Sequence, residues 1–106
     1  MTIHASVKEP AEPDELLRLF ADPLRARLVS LLAVEQLCTC HLAELTGALP
    51  SAVSNQLRHL RDAGLVERQA AGRFTYYRLR AEVLDDLGEH LTGLAASARS
   101  APRRPC

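Results

Sequence analysis

Residues 50–79 read PSAVSNQLRHLRDAGLVERQAAGRFTYYRL, and the period of this stretch changes once along its length. Up to Ala63 the apolar residues recur at helical spacing, with Val53, Leu57 and Leu60 on one stripe. A helix is predicted over 50–63, stopped by Gly64. With Val53 facing inward, Ser51, Asn55, Arg58 and His59 point outward and Ser54 sits on the flank. Beyond Gly64 the pattern shifts to that of two short strands around a turn at 70–73. Val66, Phe74, Tyr76 and Tyr77 favour strand, and Gly72 supplies a permissive backbone for the turn.

Working outward, the segment before this stretch is helical in period. Leu16, Leu17 and Phe20 share one face of a first helix that begins at Pro13. Asp22 followed by Pro23 is an N-cap and first-turn pair, after which Leu24, Leu28, Leu31 and Leu32 recur at helical spacing. A short third helix is predicted over 40–46, with Thr39 able to cap it and Gly47 ending it. After the hairpin, Val83, Leu84, Leu87, Leu91 and Leu94 mark a last helix over 81–96. Residues 1–12 read as a flexible arm and 97–106 as a flexible tail, leaving 13–96 as one domain. The predicted fold is mainly α with a β-hairpin wing. A short helix, a turn, a polar-faced helix and a hairpin, in that order, make a winged helix-turn-helix.

Composition sets the bounds. A chain of 106 residues suits a single domain, and one this small gains by burying its terminal leucines against a second subunit. With 47% apolar and 25% charged residues it reads as an ordinary globular protein. No apolar run approaches the roughly 18 residues of a membrane span, and the N-terminus lacks a signal-peptide pattern. The cytoplasm is the expected compartment, with no membrane partner. The net charge is zero, yet residues 50–80 hold six arginines against Asp62 and Glu67, a local charge of +4. A polyanion meets that local charge, not the total. Double-stranded DNA is therefore the expected partner, with Ser51, Ser54, Asn55, Arg58 and His59 facing the major groove. Arg73, at the wing tip, would reach phosphate or a minor groove.

The stretch LCTCHLAELTGALPSAVSNQLRHLRDAGLVERQAAGRFTYYRL, residues 37–79, resembles the DNA-binding core of the ArsR/SmtB family of metal-responsive repressors. ADPLRARLVSLL resembles that family's second helix, and the resemblance spans roughly residues 16–94. It implies a homodimer built on the first and last helices and bound to a near-palindromic operator. One departure is Pro50, where many members carry glutamine or another polar residue; this moves the expected base contacts to Ser51, Ser54 and Asn55.

The chain has three cysteines, and two of them, Cys38 and Cys40, stand one residue apart just ahead of the third helix. Thiolates select soft ions. Two thiols at this spacing lie about 200° apart on a regular helix, so they converge only if the helix begins between them. An ion closing on both would pull on the start of a helix that packs under the recognition helix, and so lower DNA affinity. LCTCHL resembles the arsenical branch of the family, in which a cysteine pair here binds trivalent arsenic or antimony; the inducer implied is arsenic(III) or antimony(III). The third cysteine that often follows is Ala43 in this chain. Cys106 on the tail is the remaining sulfur and a candidate third ligand, for which a small thiol or water could substitute. His41 offers an imidazole for zinc or cadmium, but its position about 100° from Cys40 points it to solvent. Asp86, Glu89 and His90 share a helical side, without matching ligands further along. Two alternatives stay open: the same repressor sensing cadmium, lead, zinc or thiol oxidation, and a thiol-based metal carrier or enzyme. Against an enzyme, no motif places a general base, a phosphate-cradling loop or a cofactor fingerprint.

Overall fold

The computed structural model describes residues 8–106. Five helices and three strands follow in the order α1 (Pro13–Leu19), α2 (Pro23–Leu32), β1 (Leu37–Cys38), α3 (Thr39–Thr46), α4 (Pro50–Asp62), β2 (Val66–Ala71), β3 (Phe74–Leu79) and α5 (Ala81–Arg99). The predicted architecture is the observed one. The Asp22 carboxylate accepts from the Arg25 backbone N–H at 3.0 Å, so α2 is capped as its sequence predicts.

The core is aliphatic. Leu28, Leu42, Val53, Leu57, Leu60, Leu65 and Val83 are fully buried, which places one residue of α3, three of α4 and one of α5 in a common cluster. The stripe predicted for α4 is thus the face it buries. Four apolar residues of the predicted helical stripes are less buried than their pattern implies. Leu91 and Leu94 of α5 remain 44% and 54% exposed, and Leu17 and Phe20 near α1 remain 38% and 36% exposed. The helix that carries Leu91 and Leu94 runs to Arg99, three residues beyond its predicted end.

The hairpin joins a three-stranded antiparallel sheet ordered β1-β3-β2. The two-residue strand β1 pairs Leu37 with Tyr77 and Cys38 with Tyr76. Its brevity hides it from any pattern reading. β2 and β3 pair from Val66 opposite Leu79 to Ala71 opposite Phe74, so only Gly72 and Arg73 form the loop. Gly72 has φ 63° and Arg73 a negative φ, the sign pattern of a type II′ hairpin turn.

The expected loose arm differs from the structure where the structure describes it. Residues 8–12 lie against the domain, and residues 1–7 lie outside the described range. Ala11 N–H donates to Ala63 O at 2.9 Å, and Arg80 Nη1 donates to Lys8 O at 2.7 Å and to Gly64 O at 2.9 Å. At Gly64, with φ 78°, a Cβ would stand 2.7 Å from the Glu9 carbonyl oxygen. Only glycine lets the arm pass this close. Arg80 also donates from Nε to Glu82 at 3.2 Å. The Glu82 carboxyl is held below the usual carboxylate range, chiefly by its own backbone N–H in the first turn of α5 and further by Arg80.

Candidate nucleic-acid interface and thiol site

α3, the turn through Gly47 and α4 form the helix-turn-helix. Gly47 takes φ 75° and its N–H donates to Ala43 O at 2.8 Å, closing α3. Thr46 Oγ1 donates to Leu42 O at 2.7 Å and accepts from Ala48 N–H at 3.2 Å, which fixes the turn. Pro50 opens α4 as its first residue, so its missing N–H costs no helical bond.

The five residues predicted for the outer face of α4, Ser51, Ser54, Asn55, Arg58 and His59, are all exposed. Arg58 Nη2 donates to Asn55 Oδ1 at 2.6 Å, which links the two side chains on the outer face. On the inner side Gln56, which no pattern singled out, accepts from Arg25 Nη1 at 2.9 Å, while Arg25 Nε donates to Leu19 O at 3.1 Å. One guanidinium thus ties α1, α2 and the polar helix together. Such a link joins positions 31 apart in sequence, and nothing local announces it.

The structure sorts the arginines of the basic segment. Arg78 pairs with Glu67 across the hairpin. Arg80 is held by two carbonyls and Glu82. Arg73 at the wing tip and Arg68 are exposed, and among the described residues neither forms an ion pair.

The thiols stand at the other end of the motif. α3 begins at Thr39, between Cys38 and Cys40, which is where convergence of the two sulfurs requires it to begin. The N-cap is Cys38, not Thr39, because the β1 pairing holds Cys38 extended at φ −90° and ψ 170°. Cys38 is buried, 8% exposed, and Cys40 is exposed. His41 departs from its expected direction: it is exposed as a residue, but its Nδ1 turns back to 3.2 Å from Cys38 Sγ and 3.4 Å from Cys38 N. The cause is local. His41 is the third residue after the N-cap, the position from which an acceptor side chain folds onto the N-cap N–H. That spacing was visible in the sequence once Cys38 was known to be the cap. Tyr76, opposite Cys38 on β3, tilts over the imidazole with ring centroids 6.3 Å apart. Beside them a groove of about 370 Å³ is lined by Glu35, Gln36, Leu37, His41, Glu44, Leu45 and Tyr76.

Cys106 is exposed, beyond the end of α5. Asp86, Glu89 and His90 are exposed along α5. Among the described residues no three His, Cys, Asp or Glu side chains are already gathered as an ion site, and no helix is long and apolar enough to cross a membrane.

Comparison with known proteins agrees with this geometry. Residues 22–68 match the family described as bacterial regulatory protein, arsR family. A transcriptional repressor SmtB homolog from Synechocystis is 43% identical over 74 residues, 70% of this chain and 56% of that relative, so the chain spans little more than half of that protein. The HTH-type transcriptional regulator NmtR of Mycobacterium tuberculosis is 39% identical over 88 residues, 76% of this chain and 73% of that one. A crystal structure of a possible transcriptional regulator for arsenical resistance is 35% identical and superposes with a TM-score of 0.67 over 84% of this chain and 98% of its own. These relatives are named as regulators, not enzymes. The shared winged helix-turn-helix and the match over most of a regulator's length place the chain in the ArsR family of bacterial regulatory proteins.

Proposed function

We propose that the protein is a DNA-binding transcriptional repressor that leaves its operator when trivalent arsenic or antimony binds the Cys38 and Cys40 thiolates. The observation that carries this reading is the start of α3 between the two cysteines. An ion held by both sulfurs bridges β1 to the first turn of α3, and α3 packs against α4. Closing that bridge strains the N-terminal turn of α3 and shifts the helix under the recognition surface. For release to follow, the ion must bind the DNA-free form more tightly. Two thiols suit a thiophilic ion, and one of the similar structures is that of a possible transcriptional regulator for arsenical resistance.

DNA is held by the outer face of α4 through Ser51, Ser54, Asn55, Arg58 and His59, with Arg73 of each wing on the backbone. The protein acts in the cytoplasm as a homodimer. Leu17 of α1, Phe20 at its end, and Leu91 and Leu94 of α5, all exposed, are the apolar surface a second copy would cover. Cys106 is a candidate third sulfur from the tail.

A second reading keeps the repressor and changes the ion to cadmium, lead or zinc. The imidazole beside Cys38 favours it.

The test is a mobility shift on the DNA upstream of the protein's own gene, with arsenite, antimonite, cadmium, lead and zinc titrated in turn. Arsenite or antimonite should release the wild type, while Cys38→Ser and Cys40→Ser should stay bound. Release of the double variant at the wild-type concentration would remove the cysteine pair from sensing. Absence of any DNA binding would return the chain to the thiol-carrier reading.

A further inference from the structure

We propose that Phe74 reads DNA from the wing: its ring lies in the minor groove of the operator and, with Arg73 beside it, favours A·T over G·C pairs there. The proposal rests on the DNA-binding reading above and adds to it a residue and a sequence preference.

The first argument is placement. Residues 68–75, RQAAGRFT, are all exposed, so this end of the hairpin projects beyond the core. Successive side chains of a strand point to opposite faces. Tyr77 is buried and Leu79 packs against the core, which turns Phe74 to the other face. Across from Phe74 on β2 stands Ala71, too small to cover a ring. Phe74 is 57% exposed, the most open of the chain's four aromatic residues.

The second argument is charge and shape. The projecting segment holds Arg68 and Arg73 and no acidic residue, so the ring is presented among cations. The loop itself is only Gly72 and Arg73, and the alanines behind it keep the tip slim. No second large apolar side chain stands in this segment, which leaves too little apolar surface for a protein interface. The minor groove of B-DNA is about 6 Å wide, with sugar faces for walls and phosphates at its edges. Phenylalanine is among the apolar side chains that enter such grooves alongside arginine. The third argument is selectivity. In this groove G·C differs from A·T by the N2 amino group of guanine. That amine stands up from the groove floor, where it obstructs a ring and loses its water beneath one without gaining a new acceptor. A·T pairs leave the floor open, and their narrow groove carries the stronger negative potential that draws Arg73. Ring and cation thus favour the same pairs.

The experiment uses the full chain, which has no tryptophan. Phe74→Trp therefore places a single fluorescent indole at the wing. On the duplex upstream of the protein's own gene, that indole should become shielded from acrylamide. Phe74→Ala should weaken binding about tenfold and leave the slope of log K against log salt at its wild-type value, because a neutral ring displaces no counterion. A substitution that merely distorted the wing would also lose the Arg73 contact and lower the slope. The outer positions that wild type shields from hydroxyl radicals, which attack in the minor groove, are then written as A·T, I·C or G·C; inosine lacks the guanine amine. Wild type should bind the A·T and I·C duplexes alike and the G·C duplex about tenfold more weakly, and Phe74→Ala should lose most of that difference. An indole open to acrylamide on bound DNA, wild-type affinity or a lowered slope in Phe74→Ala, or I·C behaving as G·C would overturn the proposal and leave the DNA-binding reading standing. Wild type that binds none of these duplexes would overturn the two together.

Discussion

Arg73→Ala should flatten the salt dependence of operator binding, and Arg78→Ala should barely change it. Both arginines lie on the hairpin, so a reading from composition treats them alike. The structure separates them. Arg73 sits in the two-residue loop, exposed and without an ion pair among the described residues. Arg78 is paired with Glu67 on the neighbouring strand. Each phosphate contact adds about 0.9 to the slope of log K against log salt. A dimer places two wings on DNA, so Arg73→Ala should lower the slope by roughly 1.8. Over a fourfold rise in salt the wild type should then lose about twelve times more affinity than the variant. Freeing Arg78 from Glu67 to reach DNA would cancel most of what a new phosphate contact adds, so Arg78→Ala should stay close to the wild-type slope. Equilibrium anisotropy titrations on the operator and on a scrambled duplex, across a salt series, measure both slopes. A phosphate contact weakens binding equally on the two duplexes. An unchanged slope for Arg73→Ala, or an equal fall for Arg78→Ala, would refute the division of the wing into free and paired cations.

Arg25→Met keeps the apolar stem and removes two charge-assisted donors at a partly buried site; it should cost about 1–2 kcal/mol. Thermal unfolding should show this as a drop of several degrees. A double-mutant cycle with Gln56→Ala should return a coupling near 1 kcal/mol, and zero coupling would show that the bond to the polar helix is idle. Gly64→Ala should destabilise by about 1–3 kcal/mol, from the left-handed backbone and the clash with Glu9. Faster amide exchange at Ala11 should accompany it, and unchanged stability to urea would contradict the close approach. Leu91→Glu with Leu94→Glu should shift sedimentation from dimer to monomer; a persistent dimer would place the interface away from α5.

The route from ion to DNA in this reading is short. Cys38 is at once the last residue of β1 and the N-cap of α3. An ion at that joint acts on the sheet and on the first helix of the DNA-reading motif together. Leu42, fully buried one turn further on, couples α3 to the core residues of α4. Packed interiors transmit such a displacement because they hold few voids to absorb it.

Five helices, the two strands of the hairpin and their order were legible in the residues alone; the two-residue β1 was not. Periodicity is a local property, and Val53, Leu57 and Leu60 announce the buried face of α4 at the spacing that buries it. Asp22 before Pro23 and Gly72 in the hairpin are equally local signals, each acting within a turn of chain. The cysteine spacing likewise showed that a helix must begin between Cys38 and Cys40 if both sulfurs are to meet. The remaining features depend on contacts between distant residues. The pairing of Cys38 with Tyr76 makes Cys38 the cap of α3 and so turns His41 back onto its sulfur. The arm at residues 8–12 is ordered by Arg80 and Gly64, far along the chain, although its composition reads as loose. Whether an arginine on a basic hairpin is paired depends on strand register, since a shift of one residue would carry Arg78 to the face opposite Glu67. Local chemistry sets the elements; the register and docking of those elements set which charges, thiols and imidazoles are left to act.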